Sequence, residues 1–168
     1  GYETWPAPVF KALRNSVICD AFGANNAAAI FANRANVVIT DNTVSGCNTG
    51  IRVASSSDSV YSAVVRGNTV TIPAEAANPG ISVVERVRAE VVGNSVGGGG
   101  SLADGSIRVG DNSYYRLPRA RVDSNAVTTP LAYGIVANEP DTLQVYGNLI
   151  EDFASGAASY VAKGAIGL

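Results

Sequence analysis

The chain has 168 residues, 46% hydrophobic but only 7% aromatic and 15% charged, with a net charge of −2, 18 Gly, no Met and no His. That apolar content and small charge exclude disorder, and no apolar run approaches the roughly 18 residues of a membrane span. Absence of His excludes an imidazole base and His-ligated metals, and abundant Gly, Val, Ser, Thr and Asn predict an all-β domain over a helical bundle. Twelve basic residues face fourteen acidic ones without a basic run, which argues against nucleic acid as a partner. The nearest approach to a run, Arg116, Arg119 and Arg121, reads as a solvated strand face, with a polyanion site as the alternative.

From the N-terminus, Gly1 stands in place of an initiator Met, as expected of a processed chain. Residues 1–10 carry the single Trp, Trp5, and two prolines before Phe10. They read as a short lid that packs Trp5 and Phe10 on whatever follows.

Six copies of one pattern then run from residue 10 to the C-terminus. The first and weakest is Phe10-Lys-Ala-Leu-Arg-Asn15. Five clear copies end in Asn42, Asn68, Asn94, Asn125 and Asn148, as in Ser62-Ala-Val-Val-Arg-Gly-Asn68. The spacing of 23 to 31 residues marks a repeat architecture. Within each copy the alternation has period two, so Val37/Ile39, Ala63/Val65, Ala89/Val91, Ala120/Val122 and Leu143/Val145 share one side. The opposite side is mostly polar (Asn36, Ser62, Arg66, Arg88, Glu90, Arg119, Arg121, Asp123) and is expected to face water. A β-branched or Leu-type residue follows each Asn closely, from Val17 to Ile150. Further on, a small residue precedes an apolar one, as in Gly50-Ile51, Gly80-Ile81, Ser106-Ile107 and Gly134-Ile135.

One short strand cannot bury its apolar side alone. Copies stacked about 4.8 Å apart form a continuous core and pair each strand above and below. Asn15, Asn42, Asn68, Asn94, Asn125 and Asn148 are expected at the corners, taking the left-handed conformation that Asn tolerates and linking their amides into a ladder. Gly67, Gly93 and Gly147 just before three of them fit a tight corner.

This pattern resembles the parallel β-helix repeat of the pectate-lyase-like superfamily. The resemblance implies one right-handed parallel β-helix of about six coils, spanning residues 10–168 behind the lid. Superfamily members include lyases, hydrolases, epimerases, tailspikes and adhesins, so the likeness speaks to fold before function. The motifs of its enzymes, Asn-Thr-Asp, Asp-Asp and Asp-Pro-His, do not occur here.

Cys19 and Cys47 follow Asn15 and Asn42 by four and five positions. Adjacent coils therefore bring them within disulfide reach, which would imply an oxidising compartment and a secreted or cell-surface protein. Two buried free thiols are the alternative. Aligning the coils on Ile30, Ile51, Ile81, Ile107 and Ile135 puts Arg34, Ser55, Glu85, Asp111 and Glu139 in one register. Glu85, Asp111 and Glu139 form a candidate carboxylate column, for Ca²⁺ or for sugar chemistry. Neighbouring Arg86, Arg88 and Arg108 offer the plainer reading of surface ion pairs.

Gly97–Asp104 reads as a mobile glycine turn, and Tyr114-Tyr115 as a packing plug or a sugar platform. The final stretch Ala158–Leu168 stays apolar and is expected to leave an open sheet edge, covered by another subunit or by coils of a longer parent chain. Two functions remain open. One is an extracellular structural or adhesive module that self-associates end to end into a filament. The other is a carbohydrate-active domain, lyase- or hydrolase-like, that acts on or binds an acidic polysaccharide.

Overall fold

The computed structural model describes residues 8–19, 28–55, 59–73, 76, 78–99, 105–110, 117–128, 133–138 and 140–151, and the backbone of residues 158–163. Short strands follow one another in threes. The first coil is β1 (Val9–Leu13), β2 (Ser16–Ile18) and β3 (Ala28–Asn33), and the second β4 (Asn36–Thr40), β5 (Thr43–Ser45) and β6 (Thr49–Ala54). Then come β7 (Tyr61–Arg66), β8 (Thr69–Thr71) and β9 (Ile81–Val83), followed by β10 (Val87–Val92), β11 (Ser95–Gly97) and β12 (Ile107–Val109). The last two coils are β13 (Arg119–Asp123), β14 (Ala126–Thr128) and β15 (Tyr133–Asn138), then β16 (Leu143–Tyr146), β17 (Leu149–Glu151) and β18 (Ala158–Lys163).

Every third strand pairs in parallel, giving three six-stranded sheets: β1-β4-β7-β10-β13-β16, β2-β5-β8-β11-β14-β17 and β3-β6-β9-β12-β15-β18. This is a parallel β-helix. The pairing register is that of the repeat, because a one-residue slip would turn each apolar set outward. Ile30, Ile51, Ile81, Ile107 and Ile135 pair in succession and all are buried. Val44, Val70, Val96 and Val127 form a second buried column, and Ile39, Val65, Val91 and Val122 a third. Burying each of these side chains contributes about 2 kcal/mol, and the columns make one continuous core.

The small residue just before the buried Ile of the third sheet has a steric reason at Gly50 and Gly80. A Cβ on Gly50 would meet Val70 Cγ1 at 2.4 Å, and one on Gly80 would meet Val96 Cγ1 at 2.5 Å. At the equivalent position Ser106 fits by turning its hydroxyl to Gly98 O and Gly99 O, which it donates to at 3.0 and 3.2 Å.

Phe10, which opens the first repeat copy, lies inside β1 and packs partly buried against the core; Trp5 and the rest of residues 1–7 lie outside the described residues. Two local expectations change. The left-handed residue at the corner between first and second sheets is the one before each ladder Asn: Arg14, Asp41, Gly67, Gly93, Ser124 and Gly147 have φ of 53 to 64°. Finally, Gly98 and Gly99 are buried, with φ of 73°, where a Cβ would strike Ile72 O at 2.3 Å and Asn78 O at 2.8 Å. These two glycines let the chain press against the preceding coil; residues 100–104 of the glycine turn lie outside the described residues.

Candidate functional site

Freed from turning the chain, the corner asparagines use both ends of their amides. Asn42 Oδ1 accepts from the backbone N–H and from Nδ2 of Asn15, both at 2.9 Å. The same pair of bonds runs from Asn42 to Asn68, Asn68 to Asn94, Asn94 to Asn125 and Asn125 to Asn148, all between 2.8 and 3.0 Å. Nδ2 also donates to a carbonyl of the preceding coil: Asn42 to Ala12, Asn68 to Ile39, Asn94 to Val65, Asn125 to Val91 and Asn148 to Val122. Asn42, Asn68, Asn94 and Asn125 are each only 1% exposed. Asp lacks the Nδ2 donor and cannot propagate the chain of bonds.

Cys19 and Cys47 are joined in a disulfide, their Cα atoms 5.0 Å apart. It ties the first coil to the second where Cys19 N–H donates to Ser45 O at 3.0 Å and Gly46 approaches Cys19 O too closely to carry a Cβ.

Of the carboxylate column, Glu85 sits at the corner from third to first sheet, between β9 and β10. Pairing of Val53, Val83, Val109 and Ala137 extends its register as far as the strand ends. Glu85 has a left-handed backbone, φ 69°, like Arg34 two coils earlier with φ 54°. Its Oε2 is buried without a hydrogen-bond partner, and so is Oδ1 of Asn138, a residue 2% exposed. Asp111 and Glu139 lie outside the described residues, as do Tyr114, Tyr115 and Arg116. Among the described residues, no three acidic or Cys side chains gather as a metal site.

The outer surfaces of the sheets differ in character. The second presents Thr43, Ser45, Thr69, Thr71, Ser95 and Thr128 from its middle strands. The first carries most of the charge: Lys11, Arg66, Arg88, Arg119 and Arg121 against Glu90 and Asp123. Contrary to expectation, Asp123 is not in water; it is 6% exposed. Arg121 donates to its Oδ2 at 2.8 Å, Ser124 Oγ donates to its Oδ1 at 2.8 Å, and the Arg121 guanidinium lies 5.4 Å from the Tyr146 ring centre. These two hydrogen bonds, Arg121 first, hold the Asp123 carboxyl below the usual Asp range, and the same partner raises Arg121. Arg88 pairs in register with Arg119 beside a shallow groove of about 180 Å³ that Ser62, Val64 and Glu90 also line. The repeat already aligns these two arginines, each six residues before its ladder Asn, and the strand pairing keeps that register.

At the last coil, a hollow of about 520 Å³ is lined by Ile135, Val145, Leu149 and Ile150. No helix among the described residues is long and apolar enough to cross a membrane.

A family model described as right handed beta helix region matches residues 27–166. The chain belongs to the right-handed β-helix family. No curated protein and no solved structure matches it.

Two measurements check this geometry. Intact-mass analysis is expected to show two alkylated thiols only after reduction, with reduction lowering stability by about 3.5 kcal/mol for a loop of this size; labelling without reductant would contradict the disulfide. For Asp123, a lowered folded pKa means stabilisation that is fully present above the unfolded value of about 3.9 and is lost as pH falls through the folded value. Denaturation midpoints of the native chain and Asp123→Asn are therefore expected to differ at pH 6 and to converge as pH drops below about 4.

Proposed function

We propose that this β-helix domain is an extracellular structural module that self-associates end to end. The observation that carries the reading is the directional ladder. In every coil the Asn backbone N–H and Nδ2 donate forward to the next Oδ1, so the first coil offers an acceptor at Asn15 and the last a donor at Asn148. A second copy placed one strand spacing beyond the last coil continues this ladder and all three sheets. Such a head-to-tail contact is heterologous and propagates. The hollow at Val145 and Ile150 would receive the first-coil residues of the same registers, Ala12 and Val17. A net charge of −2 opposes stacking little, and the Cys19–Cys47 disulfide supports an oxidising location.

A second reading rests on Glu85. A buried carboxylate oxygen without a partner suits a cation ligand or acid/base role in a carbohydrate-active domain that acts on or binds an acidic polysaccharide. Release of unsaturated or reducing sugars from pectin or alginate with Ca²⁺, abolished by Glu85→Gln, would place it first.

The stacking reading fixes which residues meet. Leu13, Thr40, Arg66, Val92, Asp123 and Tyr146 share one register through successive pairings, and Leu13 and Tyr146 are 43% and 49% exposed. Stacked copies place Leu13 of one beside Tyr146 of the next, about 4.8 Å apart and within disulfide range. A chain carrying both Leu13→Cys and Tyr146→Cys is expected to give a ladder of covalent multimers on oxidation, while each single variant stops at or below dimer. Monomers alone at high concentration, by light scattering and non-reducing gel, would remove the reading.

A further inference from the structure

We infer that the outer face of the first sheet holds an oxyanion between Arg88 and Arg119. The two residues occupy directly paired positions on β10 and β13, which sets their backbones about 4.8 Å apart. Both side chains are exposed on the same side of the sheet. Like charges placed opposite each other across neighbouring strands destabilise a sheet, and a bound anion relieves the repulsion while using both guanidinium forks.

Neighbouring carboxylates do not fill that role. Among the described residues, Arg88 makes no ion pair, and Arg119 reaches only the neutral Gln144 Oε1, at 3.3 Å. Asp123 is engaged by Arg121 at 2.8 Å. Glu90 stands two residues along from Arg88 and opposite Arg121, yet it forms no ion pair among the described residues. A groove already runs beside the pair; the Ser62 hydroxyl on its wall donates to Asn36 Oδ1 at 3.0 Å, so the two arginines supply the donors that face it. Positive charge is also concentrated here, five basic side chains against two acidic on this face, in a chain whose net charge is −2.

The ligand class is therefore an oxyanion, whether tetrahedral (sulfate, phosphate) or planar (carboxylate). Glu90 is the tuning residue. Two residues along the strand from Arg88, about 7 Å away at the usual strand rise, it repels the same anion, so its removal strengthens binding.

The test is titration of the full chain with sodium sulfate at constant ionic strength, read by arginine side-chain N–H signals in NMR and by calorimetry. Parallel titrations use phosphate and acetate. Saturable shifts confined to Arg88 and Arg119 are expected. Arg88→Gln and Arg119→Gln should each weaken sulfate binding by roughly tenfold, as expected for a lost charge-assisted hydrogen bond. Glu90→Gln should strengthen it by roughly threefold, the Coulomb effect of one charge at that distance in a water-like medium. All three variants are expected to keep the native far-ultraviolet spectrum. A sulfate or phosphate preference assigns a tetrahedral ligand, and an equal response to acetate assigns a carboxylate. Linear, unsaturable shifts, or a sulfate affinity unmoved by both Arg substitutions, would overturn the inference, as would weaker binding in Glu90→Gln.

Discussion

The structure depends on an amide that is donor and acceptor at once, repeated at one corner of every coil. Each buried Asn would carry an unsatisfied polar group costing about 1–3 kcal/mol if its neighbour were missing, and each is satisfied only when the coils are in register. The ladder therefore selects one alignment. A one-residue slip would both orphan these amides and turn the Val and Ile columns toward water. Apolar stacking provides most of the stabilisation, but stacking alone is indifferent to which Val meets which. The column of Asn42, Asn68, Asn94 and Asn125, flanked by carbonyls of the preceding coil, makes that choice.

Division of labour at the corner follows from the same constraint. A residue whose amide must point along the stack cannot also take the left-handed turn, so the preceding residue takes it. Gly does this at no steric cost in three coils, while Arg14, Asp41 and Ser124 do it with a Cβ. At Gly67 a Cβ would meet only the Asp41 carboxylate, at 2.5 Å, which can swing aside, so there too the backbone angle is the main reason. At Gly93 nothing lies within 4 Å, and the backbone angle alone explains it.

The architecture was legible in the sequence because a repeat writes the same constraint six times. The period-two alternation around Val65 and Val91, the recurrent Asn and the small-then-apolar step at Gly80-Ile81 were enough to place the strands and their faces. Other features were illegible for identifiable reasons. The αL position was off by one, since both Asn and Gly tolerate it and only side-chain direction separates them. The burial of Gly98 and Gly99 depends on the carbonyls of Ile72 and Asn78 in the preceding coil, which no local composition reveals. Asp123 looked like an outward, solvated residue, yet Arg121 and Ser124 enclose it. That, among the described residues, neither Arg88 nor Arg119 finds a carboxylate, although the repeat aligns the two, appears only in the structure. Of the carboxylate column, Glu85 alone is among the described residues, and its strained backbone and unpartnered oxygen had no signature in the one-dimensional pattern.

The central claim is that the buried ladder, and not the apolar columns alone, sets register and cooperativity. Urea unfolding of Asn94→Ala beside Asn15→Ala tests it most directly. Asn94 lies mid-ladder, where its loss strips the acceptor from two donors of Asn68 and a donor from Val65 O; Asn15 lies at the exposed first coil. The account predicts a loss of about 3 kcal/mol or more for Asn94→Ala, with a broadened transition, and under about 1 kcal/mol for Asn15→Ala. Equal, small losses at both positions with an unchanged transition slope would contradict it.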